Sequence, residues 1–234
     1  MDNLAVGRFH VDYVENELGG DRYFLPVYAL HRPAVKCFIE GSVWEPDTHR
    51  LVHHILGRAP GSMLHAGTFF GDMLPSFSRA AQKLWCFEPV FENYILARMV
   101  AEANGLSNVN LFCGALSDQI GTVLMDVTDP WGAHRGGSSF VSNQGIPVPA
   151  LTIDQFVYDT LNILHLDVED HEIFALRGAQ KTIETHRPII LTEDRSAEAA
   201  AYLSEIGYRI VGRIPHLAVW LHAGNRILEA ALHV

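Results

Sequence analysis

The chain has 234 residues, 48% of them hydrophobic, and 17 Lys and Arg stand against 27 Asp and Glu for a net charge of −10. That balance argues against a nucleic-acid partner, which needs a basic face, and no apolar run nears the roughly 18 residues of a membrane helix. The size predicts one α/β domain over residues 46–234, preceded by an N-terminal extension over 1–45 that packs on it or serves an oligomer contact. The acidic opening MDNLAVGRFHVDYVENE does not read as a secretory signal. Cys37, Cys86 and Cys113 are odd in number and scattered. They fit the thiols of a reducing cytoplasm better than disulfides or a metal cluster.

In chain order, residues 1–45 read as loops and short strands, punctuated by Gly19-Gly20, Pro26 and Pro33. EPDTHRLVHHILG predicts a helix with Leu51, Val52, Ile55 and Leu56 on one face and Gly57 ending it. Strand SMLHA follows, then a helix after Asp72, strand KLWCFEP and a helix over 91–103. NVNLFCGAL and TVLMDV read as strands. Residues 128–147, rich in Gly and Ser, form too long a loop for a plain connector and predict a lid. LNILHLDV has the near-continuous apolar character of a central parallel strand. A helix over 171–183, strand PIILTED, helix AEAAAYLSEIG and strands YRIVGR and LAVWLHAG complete the chain. The alternation predicts a doubly wound, mostly parallel sheet with an antiparallel edge strand.

Such sheets bind ligands beyond the carboxyl ends of their strands. After the first strand come His65, Gly67, Thr68, Gly71 and Asp72. The glycines let the backbone turn tightly and approach a ligand, while Asp72 equally suits the start of a helix. The next strand ends in Glu88-Pro89, an acid about 20 residues on that suits a ribose diol. Phe91 just beyond can pack on a base or on a helix, and Gly114-Ala115 permits a close backbone contact. In HLDVEDHE, Asp170 reads as a helix cap and Glu172 as its first-turn decoration, whereas Asp167 lies inside the strand end and faces the cleft. Glu193 and Asp194 at the next strand end bring further carboxylates, which could hold a divalent cation, pair with Arg195 or bind a polar substrate.

Four segments in order, LHAGTFFGD, FEPV, ALSD and LHLDVEDHEIFALRGA, resemble the motifs of the FkbM-family S-adenosylmethionine-dependent methyltransferases. The resemblance runs from about Gly41 to Glu193 and implies a class I methyltransferase fold, seven-stranded and Rossmann-like. It implies O-methylation of a hydroxyl on a small molecule, sugar or glycan, with S-adenosylmethionine as cofactor. By matching position Gly67, Thr68 and Gly71 would line its methionine side, Glu88 its ribose, Ala115 and Leu116 its adenine, and Asp167 its reacting end. His65, Thr68 and Asp170 depart from the family's acid, alanine and glycine. The related TylF-type sugar methyltransferases place magnesium-binding acids where Asp167, Glu193 and Asp194 stand here.

Methyl transfer needs the acceptor's proton removed, and Asp167, His171 and His134 are the candidate bases. Trp131, Arg135, Ser138 and Ser139 on the long loop either close over an acceptor or serve an oligomer contact. Two other readings remain. An NAD-dependent oxidoreductase shares a glycine turn and a ribose acid but needs the G-x-G-x-x-G that is missing here. A non-catalytic binding or assembly protein on the same scaffold would explain the residues His65 and Asp170.

Overall fold

A computed structural model describes residues 10–193 and 195–232. The N-terminal segment opens with a hairpin of β1 (Tyr13–Leu18) and β2 (Asp21–Pro26). Gly19 and Gly20 both take positive φ, +63° and +89°, as a two-residue turn matched to strand twist requires. Helix α1 (Pro33–Ile39) follows, its proline at the first position where a missing N–H costs nothing. The sequence reading of loops and short strands therefore missed a helix here. Helix α2 (Pro46–Arg58) carries Gly57 inside its last turn instead of ending on it.

The body then alternates as β3 (Met63–Ala66), α3 (Leu74–Ala80), β4 (Leu84–Phe87), α4 (Phe91–Ala103) and β5 (Val109–Phe112). A small second sheet comes next, formed by β6 (Ala115–Leu116), β7 (Gly121–Asp126), β8 (Phe140–Ser142) and β9 (Ile146–Leu151) in the order β6-β9-β7-β8. The segment 128–147 is thus not a plain loop, since it holds β8 and the start of β9. Pro147 and Pro149 hide β9 from a propensity reading, because proline removes ladder donors. The chain returns as β10 (Ile163–Leu166), α5 (Glu172–Arg177), α6 (Gln180–His186), β11 (Ile189–Glu193), α7 (Ala197–Glu205), β12 (Tyr208–Ile214), β13 (Leu217–His222) and α8 (Arg226–Leu232). The single helix predicted over 171–183 is two. At Gly178, the C-cap of the first, a Cβ would sit 2.0 Å from the Ser117 carbonyl oxygen, so the position admits only glycine.

The main sheet has seven strands in the order β12-β13-β11-β10-β3-β4-β5. Strand β13 runs against both β11 and the edge strand β12, and the other pairings are parallel. β3 and β10, buried at every position, lie side by side in the middle. From β3 the chain winds out to β4 and β5, and from β10 it winds the other way. That reversal opens a crevice at the carboxyl ends of β3 and β10.

Apolar clusters cover both faces of the sheet. One gathers Phe38, Ile55, Phe70, Phe77, Leu84 and Leu96, and the other Leu64, Leu164, Leu176, Ile190 and Trp220. Tyr23, Leu25 and Phe38 from the N-terminal segment belong to the first, with the Phe38 ring 5.4 Å from that of Phe70. Each fully buried ring of this kind contributes about 2 kcal/mol. Cys37, Cys86 and Cys113 are free thiols. Among the described residues no helix is long and apolar enough to cross a membrane.

Candidate active site

The crevice is divided into two chambers. The first, about 480 Å³ of empty space, is lined by Phe87, Glu88, Pro89, Val90, Ala115, Leu116, Met125 and His171. The second, about 800 Å³, is lined by Trp44, Glu45, His65, Asp72, Glu193 and His216. Gly67, Gly137, Asp167 and Glu169 line both.

The turn after β3 forms because Gly67 and Gly71 both sit at φ +87°. A Cβ on Gly67 would lie 1.9 Å from the backbone oxygen of Asp167, so only glycine lets the ends of β3 and β10 converge. Thr68 is fully buried and donates its hydroxyl to the Phe87 carbonyl at 3.1 Å, bracing the turn from beneath without lining either chamber. Asp72 lines the second chamber, and burial pushes its carboxyl up to about 7.

Glu88, at the end of β4, is 3% exposed. It accepts from the Phe69 N–H at 2.7 Å on one oxygen, and from the Val90 N–H at 2.8 Å and Asn93 Nδ2 at 3.3 Å on the other. Three of roughly four acceptor sites are filled, leaving one for a ligand hydroxyl. Burial outweighs these bonds and raises the carboxyl to about 7. Pro89, Ala115 and Leu116 line the same chamber. Phe91 does not: it is 45% exposed on the first turn of α4, and Met125 of the small sheet stands in the chamber wall instead.

Asp167 occupies the junction between the chambers. Burial and then the carboxylates of Glu193, Glu45, Glu169 and Glu172 push it well above the usual range. Glu172 is itself buried at 1% exposure and raised to about 7, so it is not the solvated first-turn residue expected. Asp170 caps nothing, because His171 takes the N-cap position of α5. Instead Glu169 and Asp170 are consecutive left-handed residues at φ +50° and +68°, a strained turn where the family motif has glycine. Glu193 pairs with Arg195, which also reaches Glu169 at 3.4 Å. Among the described residues no group of three or more His, Cys, Asp or Glu is placed to hold a metal ion. The predicted ligand Asp194 lies outside them.

The candidate histidines separate. His171 lines the first chamber, with Nε2 at 3.4 Å from the Ser117 hydroxyl and burial keeping the ring neutral. His134 lines neither chamber. Its Nδ1 accepts the Gly136 N–H at 2.9 Å and its ring packs on Tyr28 at 4.4 Å, so it fastens the long loop. On that loop Trp131 is 88% exposed and Arg135 pairs with Asp126, while Gly136, Gly137 and Ser139 roof the first chamber.

His65 is 2% exposed and pairs with a residue the sequence reading passed over. His165, fully buried, is its register neighbour on β10, with Nδ1 atoms 2.9 Å apart and rings stacked at 4.9 Å. One Nδ1 must carry the proton that the other accepts, and both Nε2 atoms lack a partner. Burial lowers both rings, His165 to about 4. Also unforeseen were Asn93, which bonds Glu88, and Trp44, Glu45 and His216 in the second chamber.

The strand order, the tight glycine turn after β3 and the acid after β4 define a class I methyltransferase fold. The chain is similar to Methyltransferase FkbM from Methylobacillus flagellatus KT, with a TM-score of 0.50 and 17% identity over 70% of this chain and 44% of that one. It is also similar to the Pyrococcus abyssi tRNA (uracil-54, C5)-methyltransferase in complex with S-adenosyl-L-homocysteine, with a TM-score of 0.51 and 12% identity over 89% of this chain and 43% of that one. The chain spans less than half the length of either, and these likenesses are of fold. The Methyltransferase FkbM domain matches residues 65–210, and the chain belongs to that family. No curated protein matches the chain.

Proposed function

We propose that the chain transfers the methyl group of S-adenosylmethionine to a hydroxyl of a small molecule, sugar or glycan. The observation that carries this reading is the meeting of two unlike chambers at Gly67 and Asp167. The first is walled by Pro89, Ala115, Leu116 and Met125 and keeps an acceptor site free on Glu88, which suits a nucleoside. The second brings Glu45, Asp72, Asp167, Glu169 and Glu193 together, which suits a cationic methionine end and a polar acceptor. The same carboxylates repel phosphate and disfavour a nucleic-acid acceptor.

The cofactor supplies an activated methyl on a sulfonium. The protein's share is then alignment and proton removal. The backbone turn at Gly67 and the carboxylate of Glu88 fix the nucleoside end. Burial and the neighbouring carboxylates raise Asp167, and a cationic group bound beside it would favour the ionised form that can accept the acceptor's proton. His171, held neutral, is the second group able to take the acceptor's proton. Arg195 already pairs with Glu193 and Glu169, so the proposal does not call on magnesium.

Calorimetry with S-adenosylhomocysteine and with NAD separates the readings. Micromolar binding of the first and none of the second is expected. Failure of S-adenosylhomocysteine to bind overturns the proposal, and NAD binding in its place restores the oxidoreductase reading. Binding without transfer to any hydroxyl acceptor leaves a non-catalytic protein on this scaffold.

A further inference from the structure

Three segments far apart in sequence meet at one amide. Asn93, on the first turns of α4, is 1% exposed. Its Nδ2 donates to Glu88 at 3.3 Å and to the Gly136 carbonyl of the long loop at 3.4 Å. Its Oδ1 accepts the Tyr28 hydroxyl of the N-terminal segment at 2.7 Å, which fixes which way the amide faces. The loop is held at the same place by the remaining contacts. Tyr28 packs on His134, His134 accepts the Gly136 N–H, and a Cβ on Gly136 would lie 2.9 Å from Cβ of Ala29. Gly136 and Gly137 form the roof of the first chamber, and Glu88 stands in its wall.

We propose that Asn93 is a positioning residue that ties closure of the loop around Gly136 to the orientation of the Glu88 carboxylate. The inference rests on the reading of the first chamber as a nucleoside site. With the loop seated, one Nδ2 group serves both the roof and the wall. With the loop lifted, the amide loses its Gly136 partner and is held toward Glu88 by Tyr28 alone. A ligand that bonds Glu88 therefore favours the seated loop, and the seated loop favours that ligand, as coupled equilibria require. The N-terminal segment thereby takes part in cofactor binding through the Tyr28 hydroxyl, without touching the ligand.

The test uses the full chain and S-adenosylhomocysteine, with affinity from calorimetry and loop closure from hydrogen exchange of the amides at 134–139. In the native protein the ligand should slow exchange of those amides. Asn93→Ala should weaken binding about tenfold, the loss expected for a bond to a charged group, and should abolish the ligand's effect on the loop. Tyr28→Phe keeps the ring and removes only the hydroxyl. It should act in the same direction by about threefold, and it serves if Asn93→Ala does not fold. Native affinity in both variants, or an undiminished ligand effect on the loop, overturns the proposal. If the native chain does not bind S-adenosylhomocysteine, the nucleoside reading falls. The tie is then read without ligand, since Glu88→Gln should still speed exchange at 134–139, and unchanged exchange refutes it.

Discussion

Replacing both His65 and His165 with leucine tests the most unusual feature of the site. The two rings share one proton between Nδ1 atoms 2.9 Å apart, and both are buried with Nε2 atoms that have no protein partner. Folded, both are neutral, and burial takes His165 from 6.5 to about 4. Unfolded, each takes up a proton as pH falls through about 6.5. Acid thus favours the unfolded chain: the stability these neutral rings provide is whole above pH 6.5 and is lost progressively as pH falls toward 4. At pH 5 His165 alone costs the fold about 2 kcal/mol relative to pH 7, and His65, lowered as well, adds in the same direction.

Glu88, Asp72 and Glu172, all raised to about 7, work the opposite way, because the folded state holds their protons more tightly. Their effect is shared by native and variant proteins and cancels in the difference. Urea unfolding of both proteins at pH 7 and pH 5 should therefore show the double variant gaining at least about 2 kcal/mol on the native protein as pH drops. His165→Leu alone should be worse than the double variant at pH 7 by about 1–3 kcal/mol, because it strands the Nδ1 of His65. A gap between native and double variant that is equal at both pH values would refute a buried neutral pair.

Four further outcomes follow from the site. Asp167→Asn keeps the side-chain shape and should lower kcat on an identified acceptor by about 100-fold with S-adenosylhomocysteine affinity nearly unchanged, whereas an unchanged kcat transfers the base role to His171. His65→Asp sets a carboxylate against His165 and should keep or improve binding of S-adenosylhomocysteine by calorimetry. Loss of that binding would show that the imidazole has a positive role of its own. Gly67→Ala meets the Asp167 oxygen at 1.9 Å from a left-handed backbone and should lower stability by about 2 kcal/mol or more in thermal unfolding, along with ligand binding. Asp170→Gly relieves one of two consecutive left-handed residues and should raise Tm by about 2–4 °C.

What can be read along a single chain and what cannot divide on physical lines. Glycine turns, apolar strands and strand-end acids announce themselves because their causes are local. Gly67 needs φ +87°, the segment ILHL is buried on both faces, and Glu88 directly follows a strand. The positions that misled are those where distant contacts override local preference. Pro147 and Pro149 join a strand because β7 pairs with them, and a new helix begins at Gln180 where the distant Asp154 carboxylate accepts the Lys181 and Thr182 N–H groups. Glu172 looks like solvated decoration and is buried, since a carboxylate's surroundings are not written beside it.

The histidine pair stands between these cases. His65 precedes Gly67 by two residues, and His165 precedes Asp167 by two. Once β3 and β10 are parallel neighbours and Gly67 touches Asp167, equal offsets from the point of contact put the two rings opposite each other. The pair was therefore legible in principle, given one cross-strand contact. Tyr28 and Asn93 have no such offset to reveal them, because 65 positions and no shared sheet separate them. Their bond comes from the way the N-terminal segment packs across α4, which local propensity leaves undetermined. For this reason the part of the site that orients Glu88 became visible only in three dimensions, although Glu88 itself could be named from the sequence.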